Sequence, residues 1–192
     1  MKIGVLASQG AFAEHITILK ELGAEAVPVR LPKELEGIDG LIIPGGESTT
    51  ISKLMLAYKL SDEIRSLAKK GIPIWGTCAG MILIAKEITD GTKVETLGLM
   101  DIRVKRNAFG RQTESFEAKL TIPALGKKSF PGVFIRAPLI EQVKSGEILA
   151  RLKDGTIVAA REGKLLVSAF HPELTDDPRF HQYFLDIVGG LT

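Results

Sequence analysis

The chain of 192 residues carries 25 basic and 23 acidic residues, and this balance gives no reason to expect nucleic-acid or membrane binding through bulk charge. A single cysteine excludes an intramolecular disulfide and is typical of a protein from the reducing cytoplasm. Because the first residues lack the pattern of a signal peptide and no apolar run approaches the roughly 20 residues of a membrane span, we expect a cytoplasmic protein without a membrane anchor.

Apolar runs of strand length alternate with helical periodicity through the first half of the chain. Strands are predicted at residues 3–7, 26–30, 40–43 and 72–75. Helices are predicted from Phe12 to Leu22, over residues 54–67 and over residues 79–87. This alternation predicts an α/β fold with a doubly wound, mostly parallel sheet of the flavodoxin-like, three-layer kind.

The second half of the chain is rich in predicted strands and poor in helices. Strands are predicted at residues 102–105, 116–122, 133–136 and 165–170, and a hairpin at residues 149–161 around Asp154-Gly155. A terminal helix follows Pro178. The sequence therefore predicts an antiparallel extension of the α/β core, within a single domain spanning residues 1–192.

The sequence Gly-Thr-Cys-Ala-Gly at residues 76–80 lies between a predicted strand and a predicted helix. That context is the one required for a nucleophile elbow, a strained turn that exposes the reactive side chain. The helix N-terminus favours the thiolate of Cys78, and the N–H of Ala79 faces the oxyanion of an attacked carbonyl. The alternative is a small buried thiol without a chemical role, but the elbow pattern favours a nucleophile.

A His-x-Glu pair follows the last predicted strand. Residues two apart in extended chain face the same side, so Glu173 is expected to orient His171 and to stabilise its imidazolium. The alternative is an exposed histidine in a turn, beside a glutamate that caps a helix. The other two histidines, His15 and His181, are expected to face solvent from amphipathic helices.

The third motif, Pro-Gly-Gly-Glu-Ser-Thr-Thr at residues 44–50, begins where the third strand ends. Its glycines allow backbone N–H groups to approach a ligand, which suits an oxyanion hole. Alternatively, this is a glycine turn in which Ser48 caps the next helix. Basic residues cluster later in the chain and are either a solvated face or a site for a substrate carboxylate: Arg103, Lys105, Arg106, Arg111 and Arg136.

Together these motifs resemble the class I, triad-type glutamine amidotransferases. Within that family the resemblance is closest to the glutaminase subunits of two-component pyridoxal 5'-phosphate synthases, and it extends over essentially the whole chain. The elbow and His171-Pro172-Glu173 are marks of the class. The more specific marks are Arg-Asn-Ala-Phe-Gly-Arg-Gln at residues 106–112 and Phe-Ile-Arg-Ala-Pro at residues 134–138.

The resemblance implies a role for each matching residue. Cys78 attacks the side-chain amide of L-glutamine, His171 passes the proton to the leaving ammonia, and Glu173 orients His171. Gly46 and Ala79 stabilise the oxyanion through backbone groups. The implied glutamine-binding residues are Gly46, Glu47, Ser48, Arg106, Ile135 and Arg136. No cofactor and no metal site is expected.

A partner is expected as well. Ammonia released into water is protonated and loses its nucleophilicity, so a biosynthetic glutaminase must pass it directly to an acceptor enzyme. The family's acceptor is a (β/α)8-barrel synthase that makes pyridoxal 5'-phosphate from a pentose phosphate and a triose phosphate. The segment Ser8-Gln9-Gly10 is implied to lie near that interface, and Ser8 stands where the family pattern has a larger apolar residue.

Two other functions remain open at this level. One is a stand-alone cysteine hydrolase of the same fold, against which the motif at residues 106–112 argues. The other is a non-catalytic regulatory subunit, against which the intact Cys-His-Glu set argues. Because the peptide at Gly45-Gly46 can change its orientation, binding of the synthase is expected to complete the site.

Overall fold

The centre of the larger sheet consists of five parallel strands in the order β2-β1-β3-β4-β12. The computed structural model describes residues 1–109 and 115–192. The central strands are β1 (Lys2–Leu6), β2 (Glu25–Val29), β3 (Gly40–Ile43), β4 (Ile74–Thr77) and β12 (Leu165–Ser168). In β3 and β4 every residue is buried, as expected for parallel strands that are covered on both faces.

Helices cover both faces of this sheet. They are α1 (Phe12–Glu21), α2 (Ser48–Ala57), α3 (Leu60–Lys69), α4 (Ala79–Ile84) and α5 (Arg179–Val188). On one face Trp75 packs against aromatic side chains of α1 and α5. Its neighbour Gly76 faces the opposite side, where a Cβ would lie 2.7 Å from Ile84 of α4. The predicted three-layer α/β fold is confirmed.

The antiparallel extension continues the same sheet beyond β12, in the order β11-β9-β6-β5, and β10 pairs with β11. These strands are β5 (Ala85–Ile88), β6 (Met100–Lys105), β9 (Leu139–Val143), β10 (Glu147–Arg151) and β11 (Ile157–Glu162). A separate hairpin consists of β7 (Ser115–Leu120) and β8 (Phe130–Ile135). The predicted hairpin around Asp154-Gly155 is the antiparallel pair β10 and β11.

Two local predictions were wrong, and one strand was missed. The helix predicted at residues 79–87 ends at Ile84, because the next four residues form β5 and pair in parallel with β6. The helix predicted at residues 54–67 is two helices, separated where Lys59 adopts a left-handed conformation with φ 58°. Strand β9 was not predicted. None of the helices in the described parts of the chain is long and apolar enough to cross a membrane.

Candidate active site

The carboxyl ends of three neighbouring parallel strands bring the predicted motifs together. Ile43 of β3 is in register with Gly76 of β4, and Thr77 of β4 is in register with Ser168 of β12. The glycine loop, Cys78 and His171 each follow one of these ends. This edge of an open α/β sheet is where such folds bind their ligands.

Cys78 lies in a strained turn between β4 and α4. Its backbone has φ 49° and ψ −104°, a conformation that residues other than glycine rarely adopt. The turn is tight because α4 lies directly against β3, and a Cβ on Gly80 would come within 1.9 Å of the carbonyl oxygen of Ile43. The predicted strand-turn-helix context of Cys78 is therefore present, with glycines where the backbones approach most closely.

His171 is held between the glycine loop and Glu173. Its Nδ1 lies 2.7 Å from Oε1 of Glu173, and its backbone N–H donates to the carbonyl of Val133. The ring lies over Gly45, where a Cβ would be only 2.5 Å from Cε1 of His171. Burial opposes charge on this ring, but hydrogen bonds with the Cys78 thiol and the Glu173 carboxylate outweigh it and raise the pKa of His171 to about 10. The geometry favours an imidazolium beside Cys78.

A cavity of about 230 Å³ opens over Cys78. All but one of the predicted site residues line it, including those at the ends of β3, β4 and β8. Glu173 is the exception, since it lies behind His171 and its side chain is fully buried. The predicted residues around the cavity are Gly46, Glu47, Ser48, Cys78, Ala79, Arg106, Ile135, Arg136 and His171, joined by Ile82, Asn107 and Pro138.

Glu47, and not Ser48, caps helix α2. Its carboxylate accepts hydrogen bonds from the backbone N–H groups of Thr49 and Thr50 and from the hydroxyl of Thr50. The hydrogen bond from the Thr50 hydroxyl has the largest effect, and together these bonds lower the pKa of Glu47 to about 2. The carboxylate is thus committed to the helix. The backbone of Glu47 is engaged as well, because the N–H donates to Oε1 of Gln9 at 2.9 Å and the carbonyl accepts from the N–H of Ile51.

The predicted basic cluster divides into separate environments. Arg106 reaches the cavity, where Nη1 donates to Oγ of Ser48 at 3.1 Å and Nε lies 3.5 Å from Oδ2 of Asp90. Arg136 lines the same cavity, whereas Arg103 pairs with Glu87 at 3.2 Å on strand β6. Arg111 lies outside the described residues, as do positions 110–112 of the predicted motif. Among the members of the cluster that the structure describes, Arg106 and Arg136 line the cavity where a substrate carboxylate could bind.

Sequence comparison identifies the family to which this site belongs. The model of the SNO glutamine amidotransferase family matches residues 5–189. The chain belongs to the SNO glutamine amidotransferase family. The resemblance drawn from the motifs is thereby confirmed.

Two similar proteins from other organisms share one name. This chain is 61% identical over 190 residues to the pyridoxal 5'-phosphate synthase subunit PdxT of Dehalococcoides mccartyi, and the match covers 98% of this chain and 97% of the relative. Identity to the protein of that name from Herpetosiphon aurantiacus is 59%, over 97% of this chain and all of the relative. A crystal structure described as a glutamine amidotransferase superposes with a TM-score of 0.91 at 51% identity, covering 97% of this chain and 98% of that one.

Backbone strain in this SNO-family chain concentrates at the cavity. Four non-glycine residues in residues 1–109 and 115–192 have positive φ, and three of them line the cavity: Cys78, Asn107 and Arg136. Such conformations cost of order 1–3 kcal/mol each and persist where the surrounding structure enforces them. Their common location supports a site that is built for binding or chemistry.

The burial of two histidines was predicted wrongly from the sequence. His15 and His181 were expected to face solvent, but both are fully buried behind Glu173. Oε2 of Glu173 lies 3.4 Å from Nε2 of His15, and Nδ1 of His15 lies 2.8 Å from Nε2 of His181. The helical spacing could have indicated the burial of His15, because His15 lies one turn before the buried Leu19 on the core-facing side of α1.

Metal binding has no support from the described residues. Across those parts of the chain, no group of three or more His, Cys, Asp or Glu side chains is arranged to hold a metal ion.

Proposed function

We propose that this protein is the glutaminase subunit of a pyridoxal 5'-phosphate synthase and acts in vitamin B6 biosynthesis. It hydrolyses L-glutamine to L-glutamate and ammonia. The observation that carries the proposal is the arrangement of Cys78 in a strained turn beside His171, whose Nδ1 is 2.7 Å from Glu173. The names of the full-length relatives support the biosynthetic assignment.

The reaction begins when the Cys78 thiolate attacks the carbonyl carbon of the glutamine side-chain amide. The imidazolium of His171 gives its proton to the leaving nitrogen as the C–N bond breaks, which releases ammonia and leaves a γ-glutamyl thioester. Neutral His171 then takes a proton from water. The resulting hydroxide attacks the thioester, glutamate leaves, and the thiolate–imidazolium pair is restored. Glu173 keeps His171 oriented and balances its charge through both halves of the reaction.

The oxyanion of each tetrahedral intermediate is stabilised by backbone groups of Gly46 and Ala79. Both residues line the cavity beside Cys78. The α-carboxylate of glutamine pairs with the guanidinium groups of Arg106 and Arg136, which are the two cavity arginines. Glu47, Ser48 and Ile135 complete the glutamine pocket, and the Glu47 carboxylate holds this part of it in place by capping α2.

The acceptor of the ammonia is a synthase subunit with a (β/α)8-barrel fold, bound in a hetero-oligomeric complex. Its docking face includes Ser8-Gln9-Gly10, which lies against the glycine loop. A Cβ on Gly10 would be 1.7 Å from the carbonyl oxygen of Gly45, and Gln9 accepts a hydrogen bond from Glu47. Contact with the synthase at this segment would therefore act on the oxyanion loop. In this proposal, synthase binding completes the site by that route.

The protein is proposed to work in the cytoplasm as one domain spanning residues 1–192. The single free cysteine suits a reducing compartment. The one-domain assignment is supported by a sheet that runs from β2 through β12 to β5 and by one cluster of buried apolar residues.

Replacement of Cys78 by Ala tests the proposal. We expect glutamine hydrolysis to fall at least about a thousandfold, because no other group supplies the nucleophile. Hydrolysis is measured as glutamate formation by the chain alone and with the synthase subunit of the same organism. Binding to the synthase, measured by size-exclusion chromatography or calorimetry, is expected to survive. Wild-type hydrolysis is expected to rise when the synthase is added.

A matched control is Thr77→Val. The Thr77 hydroxyl is buried without a hydrogen-bond partner among the described residues, so an isosteric methyl should leave stability and hydrolysis nearly unchanged. Retained hydrolysis in Cys78→Ala would refute the nucleophile. Equal wild-type rates with and without the synthase would refute completion of the site by the partner. Full synthase activity with glutamine in Cys78→Ala would favour a purely regulatory subunit.

A further inference from the structure

Two buried histidines continue the polar chain behind the proposed catalytic residues. His15 on α1 and His181 on α5 have no exposed surface, and their rings pack against Trp75 at centroid distances of 5.5 and 5.0 Å. Imidazoles are polar groups that are costly to bury without partners. Their position therefore calls for an explanation beyond packing.

The carboxylate of Glu173 provides that explanation. Its side chain is fully buried, Oε1 faces His171, and Oε2 has no well-aligned hydrogen-bond donor among the described residues. Nε2 of His15 lies 3.4 Å from Oε2 and is the candidate donor to it. A buried carboxyl group is costly unless both of its oxygens have polar partners. His15 is placed to supply the second contact.

The distances allow only one favourable arrangement of protons on neutral rings. If His15 carried its proton on Nδ1, the lone pair on Nε2 would point at the negative Oε2 of Glu173. With the proton on Nε2, His15 presents N–H to Glu173, and its Nδ1 accepts from Nε2–H of His181 at 2.8 Å. Both N–H groups then lie on the side of their rings that is nearer to the carboxylate, and the contact of His15 with Oε2 is a close approach of 3.4 Å.

We propose that His15 is a positioning residue for glutamine hydrolysis, which keeps the Glu173 carboxylate oriented toward His171, and that His181 fixes the required tautomer of His15. This inference rests on the proposed function. It extends the three predicted residues to a chain of five side chains: Cys78, His171, Glu173, His15 and His181. Its last two members come from helices on the far side of the sheet from α4.

The charged groups around Glu173 fit this assignment. His171 faces one oxygen and His15 the other, while Glu14, Glu21 and Asp176 line a surface cavity that Glu173 also reaches. Those three carboxylates add negative charge nearby, so a donor on the inner side of Glu173 matters more. Burial, with His181 and His171 nearby, holds the pKa of His15 well below its usual value, which keeps the ring neutral.

The first test is ¹⁵N NMR of histidine-labelled wild-type protein at pH 7, without substrate. The chain has three histidines, so each ring can be assigned. We expect His15 and His181 to be neutral with the proton on Nε2. A proton on Nδ1 of His15, or a charged His15, would overturn the proposal whatever the protein hydrolyses. Failure of the proposed function would appear separately, as absent glutaminase activity in wild-type protein with the synthase.

The second test compares His15→Leu with His15→Gln. Without a donor, His15→Leu should lower kcat at least about tenfold with little change in KM, and lower the NMR titration midpoint of His171 by about one pH unit. Gln offers an N–H near the position of Nε2, so His15→Gln should restore most of both quantities.

Phe184→Leu is the matched control. The rings of Phe184 and Trp75 pack with their centroids 5.6 Å apart, so the variant should lower Tm without moving the NMR titration midpoint of His171. A His15→Leu protein with lower Tm but unchanged kcat and midpoint would show that His15 only packs, and would overturn the proposal.

Discussion

At the scale of single residues, the charge on His171 determines what Cys78 can do. Burial alone would leave His171 neutral at pH 7, yet its pKa is raised to about 10 by the thiol on one side and the carboxylate on the other. The site therefore holds a charged imidazolium beside Cys78 before glutamine binds. A thiolate is the reactive form of cysteine, and an adjacent imidazolium stabilises it.

Glu173→Gln should remove one of the two groups that raise this pKa. The amide keeps the size of the side chain and loses its charge, so the pKa of His171 should fall. The imidazolium is lost as pH rises through that pKa, so the alkaline limb of kcat/KM should move to lower pH by at least about one unit. The measurement is the pH profile of hydrolysis with the synthase bound. An alkaline limb that stays at the wild-type pH would contradict this account of the charge.

At the scale of elements, the short helix α4 is tied to the sheet by two glycines. Cys78 precedes α4, and its strained φ of 49° is enforced because the helix starts directly over β3. A Cβ on Gly80 would meet the Ile43 carbonyl oxygen at 1.9 Å, and a Cβ on Gly76 would meet the Gly80 backbone at 2.5 Å. The position of the nucleophile thus depends on backbone contact between β3, β4 and α4.

Gly80→Ala should separate α4 from β3. We expect a loss of about 2–3 kcal/mol in the free energy of unfolding, together with a fall in hydrolysis of about a hundredfold, because Cys78 moves with the helix. Denaturant unfolding and the glutaminase assay measure the two effects. The matched control is Gly189→Ala, where φ is −75° and the nearest atom is 3.4 Å from the new Cβ, so neither quantity should fall. Wild-type behaviour of Gly80→Ala would contradict the close approach.

The elements that the sequence predicted well are those whose pattern is local. Strand β3 is buried on both faces and is a continuous apolar run, so its predicted bounds were those of the structure. Strand β5 was taken for helix because its pairing partner β6 begins twelve residues further on. The start of α2 was missed because its Ser and Thr residues have low helix propensity, and Glu47 compensates as the cap.

In the candidate site, too, local patterns were predicted and contacts between distant segments were not. The sequence predicted nine of the twelve residues that line the cavity because those nine belong to motifs. It predicted solvent exposure for His15 and His181 because, although the spacing places His15 and Leu19 on one face of α1, no local pattern reveals that α1 and α5 meet over Trp75. That meeting is a property of the whole sheet, whose strand order brings the two ends of the chain to one face.

At the scale of the whole molecule, two buried neutral histidines make the fold sensitive to acid. Burial lowers the pKa of His181 to about 3 and holds that of His15 well below 6.5. Below pH 6.5 the unfolded chain binds protons at both rings and the folded protein does not, so stability falls as pH falls. His171 acts with the opposite sign, because its raised pKa contributes stability that is lost as pH rises toward 10.

His181→Leu should therefore flatten the acid side of the stability curve. With a pKa of about 3 in the folded protein, His181 accounts for a loss of about 2 kcal/mol between pH 7 and pH 5, so the variant should lose about 2 kcal/mol less than wild type over that interval. Its stability at pH 7 should be lower, since Nδ1 of His15 loses its donor. Urea unfolding of both proteins at the two pH values gives the four free energies. Phe184→Leu, which removes packing but no titratable group, should keep the wild-type difference between pH 7 and pH 5. A His181→Leu protein with that same difference would mean that His181 is protonated in the folded state, and the neutral chain from His181 to Glu173 would have to be abandoned.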